Sequence, residues 1–188
     1  MIEGGEIIMK NQWDIIKEKI LYDQGIVRFS EQECYHSEKE IAHNFFKMEF
    51  LDWVNIVPIT ENNQLVLVEQ YRFGTEEVTL ELPGGTLDAG EDEAKLAAER
   101  ELLEETGYQG QSLDSLGNVA VNPAIQNNYC HFYLASEVDK IKQQELDTSE
   151  DIDVVLFPWE KVDNLIANGE ITHSLTILGI LYAQRYLK

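Results

Sequence analysis

The chain has 188 residues, of which 44% are hydrophobic, and this is enough for one domain with a substantial core. Asp and Glu number 35 against 14 Lys and Arg, so the formal net charge is -21. A surface this acidic repels nucleic-acid phosphates, and no apolar run reaches the roughly 20 residues of a membrane span. The N-terminal residues lack the pattern of a secretory signal, and Cys34 and Cys130 have no metal-ligand spacing. These features favour a cytoplasmic protein with reduced thiols.

Residues 1–52 form an N-terminal segment with too few apolar residues to build a core alone. The stretch from Trp13 to Leu21 has a helical or coil pattern. Strands are expected at Ile26–Phe29 and Ile41–Phe50, with the polar residues Glu31–Glu40 between them. We expect antiparallel strands that pack against another surface.

The remaining residues, 53–188, alternate between strand and helix patterns. In chain order they predict the strands Val54–Ile59, Leu65–Gln70 and Val78–Leu82, the helix Glu91–Thr106, the strands Val119–Val121, Tyr129–Ala135 and Asp151–Phe157, and the helices Pro158–Asn168 and Ile171–Leu187. A turn at 61–63 joins the first two strands as a hairpin, and Gly107 and Gly169 end two of the helices. This order predicts an α/β protein with a mixed sheet.

Three carboxylates share one face of the central helix, because Glu101, Glu104 and Glu105 stand at positions i, i+3 and i+4. Like charges at this spacing repel each other, so such a cluster is most easily kept when a cation neutralises it. A site made of oxygen ligands alone favours Mg²⁺, with Mn²⁺ as the alternative. A solvated acidic helix face is the competing interpretation.

The segment from Gly85 to Tyr108 resembles the Nudix box, whose pattern is G-x5-E-x7-R-E-U-x-E-E-x-G-U, where U is a bulky apolar residue. Gly85 and Glu91 match its first part, and the run from Arg100 to Tyr108 matches its second part. Eight residues separate Glu91 from Arg100, where the pattern has seven. This extra residue leaves open whether Glu91 or Asp92 pairs with Arg100.

The resemblance implies a Nudix-type α/β/α sandwich that hydrolyses a diphosphate bond with the help of Mg²⁺. It implies that Glu101 and Glu105 are the main metal ligands and that the carbonyl of Gly84 completes the site. Glu104 would be a further ligand or a catalytic partner, and Arg100 is counted among the catalytic residues. Cations that bridge the diphosphate neutralise its charge and lower the pKa of the attacking water.

Gln70-Tyr71-Arg72 and the run from Leu80 to Gly85 resemble the branch that hydrolyses ADP-ribose and other nucleoside diphosphate sugars. The resemblance implies a homodimer in which the N-terminal segment is exchanged or packed between subunits. Arg72, Tyr71 and Glu81 are assigned to substrate binding, with Arg72 on a phosphate. The aromatic side chains that could stack on a base are Tyr71, Phe73, Phe29 and Phe46.

The general base of this branch comes from a mobile loop late in the chain. Glu150, within the polar run Gln143–Ile152, is the best match, and Glu145 and Asp151 are the alternatives. A solvated acidic loop is the competing interpretation for the whole run. His131 and His173 stand alone in the sequence and are interpreted as structural hydrogen-bonding residues.

The sequence leaves more than one substrate class open, because Asn122–Asn128 stands where the ADP-ribose branch often has a Gly-Ser/Thr-x-Glu turn. The leading hypothesis is hydrolysis of ADP-ribose or another nucleoside diphosphate sugar to a nucleoside monophosphate and a sugar phosphate. The alternatives are a Nudix hydrolase for dinucleotide polyphosphates or nucleoside triphosphates, and a Nudix-fold ligand sensor without turnover.

Overall fold

The computed structural model describes residues 12–88, 90–91 and 93–188. The predictions made for residues 1–11 and for Asp92 lie outside the described residues. The strands are β1 (Trp13–Asp23), β2 (Arg28–His36), β3 (Ile41–Glu49), β4 (Trp53–Ile59), β5 (Gln64–Arg72), β6 (Glu77–Glu81), β7 (Gly84–Thr86), β8 (Tyr108–Gln109), β9 (Ser112–Ala120), β10 (Tyr129–Ser136), β11 (Asp139–Lys140) and β12 (Ile152–Pro158). The helices are α1 (Ala94–Thr106), α2 (Val162–Ala167), which follows a 3₁₀ turn at Trp159–Lys161, and α3 (Ser174–Tyr186).

The chain divides into two compact units. The first contains the described residues up to Phe50 together with Asn122–Asn127. Its strands form an antiparallel sheet in the order β1-β2-β3. The backbone N–H of Met48 donates to the carbonyl of Ile125 at 2.7 Å, which ties the later segment to this sheet.

Two sequence predictions in the first unit are wrong. The stretch Trp13–Leu21, expected as helix or coil, is part of β1. The prediction missed this strand because its register against β2 shifts twice, which interrupts the period-two alternation that marks a strand. The polar run from Glu31 is not a connection; β2 continues to His36, because a central strand is held by backbone hydrogen bonds on both sides. The strand expected at Ile41–Phe50 is present as β3.

The second unit, Leu51–Val121 with Asn128–Lys188, contains a mixed seven-stranded sheet. Its main order is β12-β5-β4-β10-β9, and β6 and β7 pair with β5 and β4. Only the β4–β10 pair within this sheet of described residues is parallel. The expected α/β architecture with a mixed sheet is therefore present.

Helices cover both faces of this sheet because successive buried residues of β4 point to opposite sides. Ile56 packs in one core cluster with Ala97 and Leu102 of α1. Its neighbour Val57 packs in another cluster with Ile180 of α3. The helix that carries the acidic residues is thus fixed to one face of the sheet by its apolar side.

Several element boundaries in the second unit differ from the prediction. The turn after β6 continues into the short strand β7, and α1 begins at Ala94 rather than Glu91. Gly107 ends α1 with a left-handed φ of 75°, as the sequence predicts. Strand β9 begins at Ser112, well before the expected Val119, and α3 begins at Ser174 rather than Ile171. Within the described part of the chain, no helix is long and apolar enough to cross a membrane.

Candidate active site

The loop that ends in β7 contacts the acidic face of α1. The backbone N–H of Gly84 donates to Oε2 of Glu105 at 2.8 Å. A Cβ on Gly84 would collide with the carbonyl oxygen of Val54, and one on Gly85 would overlap the carboxylate of Glu101. The first position therefore requires glycine, because a side chain on Gly84 would separate the loop from the sheet, whereas one on Gly85 would displace the carboxylate of Glu101.

Arg100 joins the acidic residues of α1 to the preceding loop. Its Nη1 lies 2.8 Å from Oε1 of Glu101 and 3.3 Å from Oε2 of Glu104. Its Nη2 donates to the carbonyl of Thr86 at 3.2 Å and lies 3.5 Å from Glu91. The structure thus places Glu91 beside Arg100, the first of the two pairings that the sequence leaves open.

The carboxylate of Glu105 is buried at 4% exposure beside other negative charges. Burial, together with the charges of Glu101 and Glu150, raises its pKa to about 8, although the hydrogen bond from Gly84 opposes the shift. Burial also raises the pKa of Glu101, against the attraction of Arg100. The protein therefore supplies too little positive charge to stabilise Glu101 and Glu105 when both are ionised.

The donor set fits a hard divalent cation, because the buried carboxylate of Glu105 and the partly buried one of Glu101 repel each other beside a glycine loop. Among the described residues, no three His, Cys, Asp or Glu side chains converge closely enough to hold a metal by themselves. A cation here would take its remaining ligands from a backbone carbonyl, water and substrate oxygens. Mg²⁺ is commonly bound in this way, through one or two carboxylates and a phosphate.

A cleft of about 970 Å³ contains the residues that the sequence assigns to substrate binding and proton transfer. Tyr71, Arg72, Glu81 and Glu150 all line it. Of the residues that line the cleft, Arg72 and Glu150 are close enough to Glu105 of α1 for their charges to act on its pKa. A volume of this size suits a nucleotide-sized ligand.

The aromatic candidates separate into two places. Phe73 lines the cleft with 85% of its surface exposed and packs edge-on against Tyr71, with ring centroids 5.1 Å apart. Phe29 and Phe46 belong to the first unit, where they stack on each other at 5.4 Å. Tyr71 and Phe73 are the aromatic side chains that share the cleft with Arg72.

Arg72 and Glu81 form a two-point ion pair. Nε and Nη2 of Arg72 donate to the two oxygens of Glu81 at 2.9 and 2.7 Å. The carboxylate is 1% exposed, so Glu81 acts on the cleft through Arg72 rather than through a free oxygen. The guanidinium keeps unused N–H groups, since it has five and this pair uses two.

The acidic loop places its three candidate bases in different surroundings. Glu150 and Asp151 line the cleft, and Oε2 of Glu150 accepts a hydrogen bond from the backbone N–H of Asp147 at 2.9 Å. Glu145 does not line the cleft; its carboxylate pairs with Lys142 at 2.6 Å. Of these carboxylates, Glu150 is the one whose charge raises the pKa of both Glu101 and Glu105.

Sequence reasoning missed the position of His173. The structure places it in the cleft, with Nδ1 3.1 Å from Oε2 of Glu81. Nothing in the sequence links the two residues, because they come from the end of β6 and the start of α3. His131, in contrast, pairs with Asp52 at 2.8 Å, as expected for a structural histidine.

The fold and the site together define a Nudix hydrolase. The NUDIX domain family matches residues 50–176, and the chain belongs to this family. The predicted family, fold and class of enzyme are confirmed by this match. The roles of individual site residues stay predictions.

The relatives of this chain include proteins with different activities. The chain is 33% identical to a methanol dehydrogenase activator of Bacillus methanolicus and 30% identical to an ADP-ribose pyrophosphatase of Bacillus subtilis, in each case over 70% of this chain and 71% of the relative. It is 27% identical to a GDP-mannose pyrophosphatase of Escherichia coli over 94% of this chain and 97% of the relative. A crystal structure of an ADP compounds hydrolase shares the fold, with a TM-score of 0.81 and 21% identity over 94% of each chain.

Proposed function

We propose that this chain hydrolyses the diphosphate bond of ADP-ribose or another nucleoside diphosphate sugar, with Mg²⁺ or Mn²⁺, to give a nucleoside monophosphate and a sugar phosphate. The observation that carries this proposal is the cleft that joins Arg72, the aromatic pair Tyr71–Phe73 and Glu150 beside the buried carboxylate of Glu105. The similarity to an ADP-ribose pyrophosphatase and a GDP-mannose pyrophosphatase supports the same substrate class.

Each group in the cleft fits one part of such a substrate. The free N–H groups of Arg72 bind a phosphate oxygen, and Glu81 holds the guanidinium in a fixed plane for that contact. The exposed ring of Phe73 offers a face on which a base can stack. With the phosphate on Arg72 and the base on Phe73, the diphosphate is oriented toward the acidic face of α1.

Glu101 and Glu105 would hold the divalent cation, with the carbonyl of Gly84 as a third oxygen. A cation bound there neutralises the charge of the diphosphate and makes the attacking water more acidic. Arg100 keeps Glu101 and Glu104 in place and holds the loop to the helix. Because Glu104 is bound to Arg100 through one oxygen, its other oxygen can take part as a further ligand.

Glu150 accepts the proton of the attacking water in this mechanism. The water oxygen forms a bond to phosphorus while the bond from phosphorus to the bridging oxygen breaks, and the second phosphate leaves. Glu150 lies in an exposed loop, so movement of that loop can bring its carboxylate to the water. Its charge already raises the pKa of Glu101 and Glu105, which supports a position close to the reaction.

A homodimer built on the segment 1–52 belongs to the same proposal. In the first unit, Ile15, Ile20 and Phe45 lie on one face of the sheet and are 61, 54 and 41% exposed. An apolar surface of this kind on a short sheet favours burial against a second copy of the chain. A cytoplasmic location is also part of the proposal, since both cysteines are free and buried.

A substrate panel tests the proposal. ADP-ribose, GDP-mannose, dinucleoside polyphosphates and nucleoside triphosphates are incubated with the protein, with and without Mg²⁺ or Mn²⁺, and the phosphorylated products are measured. Cation-dependent cleavage of ADP-ribose or GDP-mannose is the expected result. Cleavage of only dinucleoside polyphosphates or nucleoside triphosphates would reject the proposed substrate class. Tight binding of a compound without cleavage of any would favour a ligand sensor.

A further inference from the structure

Four polar atoms of three residues surround the carboxylate of Glu81. Its Oε1 accepts hydrogen bonds from Nε of Arg72 at 2.9 Å and from Oγ1 of Thr79 at 2.5 Å. Its Oε2 accepts from Nη2 of Arg72 at 2.7 Å and lies 3.1 Å from Nδ1 of His173. An ionised carboxylate has about four acceptor positions, and hydrogen bonds from Arg72 and Thr79 take three of those of Glu81.

These contacts fix which nitrogen of His173 carries hydrogen. Burial opposes ionisation of Glu81, but the hydrogen bonds from Arg72 and Thr79 hold its pKa below the ordinary value, so the carboxylate only accepts. A hydrogen on Nδ1 of His173 is attracted by this carboxylate oxygen 3.1 Å away, whereas a lone pair at that distance would be repelled. Nδ1 also lies 3.1 Å from Oγ1 of Thr176, a hydroxyl oxygen that can share the same hydrogen. The tautomer assigned from these contacts carries hydrogen on Nδ1 and a lone pair on Nε2.

The other ring nitrogen, Nε2, is available to a ligand. His173 lines the cleft together with Arg72, and its side chain is 33% exposed. Within residues 12–88, 90–91 and 93–188, no hydrogen bond to Nε2 is found. Burial and the charge of Arg72 lower the pKa of His173, although Glu81 opposes the shift, so the imidazole is neutral near pH 7. A neutral Nε2 repels a phosphate oxygen but accepts a hydrogen bond from a hydroxyl.

We propose that His173 is a specificity-determining residue whose Nε2 accepts a hydrogen bond from a hydroxyl of the sugar in a nucleoside diphosphate sugar. This inference rests on the proposed substrate class. Arg72 and His173 hold the same carboxylate, so the group that binds phosphate and the group that binds the sugar are kept at a fixed separation. A diphosphate without the sugar leaves Nε2 without its partner, and a polar site rejects a ligand that lacks the matching group.

Two substitutions separate a sugar contact from a role in holding Glu81. His173→Asn keeps an amide N–H near the position of Nδ1, so it preserves the contact with Glu81 and removes Nε2. His173→Gln places an amide oxygen near the position of Nε2 and loses the donor to Glu81. His131→Asn, at the histidine that pairs with Asp52, is the matched control.

The measurement is the dissociation constant, with Ca²⁺ as the divalent ion, for ADP-ribose against ADP and for GDP-mannose against GDP. We expect His173→Asn to reduce the preference for the sugar-bearing member of at least one pair by about three- to tenfold, the size expected for one lost hydrogen bond. His173→Gln should keep more of that preference, and the control should keep all of it. An unchanged preference in His173→Asn for both pairs, or a larger loss in His173→Gln, would overturn the proposal.

These binding constants do not depend on turnover, so the two proposals can fail separately. If the wild-type protein cleaves neither ADP-ribose nor GDP-mannose, the proposed reaction is rejected. A selective loss of sugar binding in His173→Asn would still support the contact in that case.

Discussion

Replacing Glu105 with Gln should stabilise the protein in the absence of a divalent cation and make its stability less dependent on pH. The pKa of this carboxyl rises from 4.5 to about 8 on folding, first because it is buried and then because Glu101 and Glu150 repel its charge. The folded protein therefore binds a proton between these two pH values that the unfolded chain does not bind. The contribution of Glu105 to stability is therefore most favourable below pH 4.5 and falls as the pH rises toward 8.

The size of this effect follows from the pKa difference. A difference of this size corresponds to about 5 kcal/mol of destabilisation at high pH, and relaxation or water entry reduces it. The amide of Gln can still accept the hydrogen bond from Gly84, so the substitution removes the charge and keeps the contact. A cation should reverse the destabilisation in the wild-type protein, because it binds only the folded state.

The assay is the free energy of unfolding in denaturant at pH 6 and pH 8, with chelator or with Mg²⁺. In chelator, the wild-type protein should lose stability between these pH values, and Glu105→Gln should lose much less. Mg²⁺ should stabilise the wild-type protein and leave Glu105→Gln nearly unchanged, and the variant should lose most of its activity. Glu99→Gln, an exposed residue of the same helix, is the control. Equal stabilisation of wild type and Glu105→Gln by Mg²⁺ would refute the assignment of this ligand.

Glu150→Gln should lower kcat about a hundredfold or more, the typical contribution of a general base, while the cation affinity measured by titration stays close to wild type. Glu145→Gln, outside the cleft, is the control, and normal turnover of Glu150→Gln would show that another residue is the base. Arg72→Lys should raise KM for a nucleotide sugar about tenfold or more, because a single ammonium cannot reproduce the two-point pair with Glu81. An unchanged KM would reject the assignment of Arg72 to phosphate binding. Light scattering should show a dimer for the wild-type chain and a monomer for Ile20→Lys, since Ile20 is 54% exposed in the first unit; a monomeric wild type would reject the dimer.

The sequence predicts most of the second unit because local patterns determine it. Strand β4 is apolar apart from Asn55, β5 contains the apolar run Leu65–Val68, and α1 ends at a glycine with left-handed φ. The box spacing correctly indicates that the glycine loop and the carboxylates of α1 belong together, because helical periodicity places Glu101 and Glu105 one turn apart. The loop itself forms β7 by pairing with β4, and no local pattern predicts such a pairing.

The features that the sequence misses depend on contacts between distant residues. Strand β1 looks irregular because its register against β2 shifts twice, and only the partner strand reveals the pairing. Likewise, His173 has no local signal, because its meaning comes from Glu81 at the end of another element. Glu81 itself is matched from the sequence as a substrate ligand, but the structure shows it buried and bound by Arg72 and Thr79, with His173 beside it.

The charges around the site explain why a cation should matter for substrate binding as well as for the chemical step. Both arginines near the reaction are already paired, Arg72 with Glu81 and Arg100 with Glu101 and Glu104. Burial and the charges of Glu101 and Glu150 raise the pKa of Glu105, so ionisation of this second carboxylate is unfavourable without a cation. A diphosphate that enters this field without a cation is repelled, since a poorly solvated site screens charge less than water does. The affinity for a non-hydrolysable nucleotide sugar should thus rise when Mg²⁺ is added, and this rise should be smaller in Glu105→Gln.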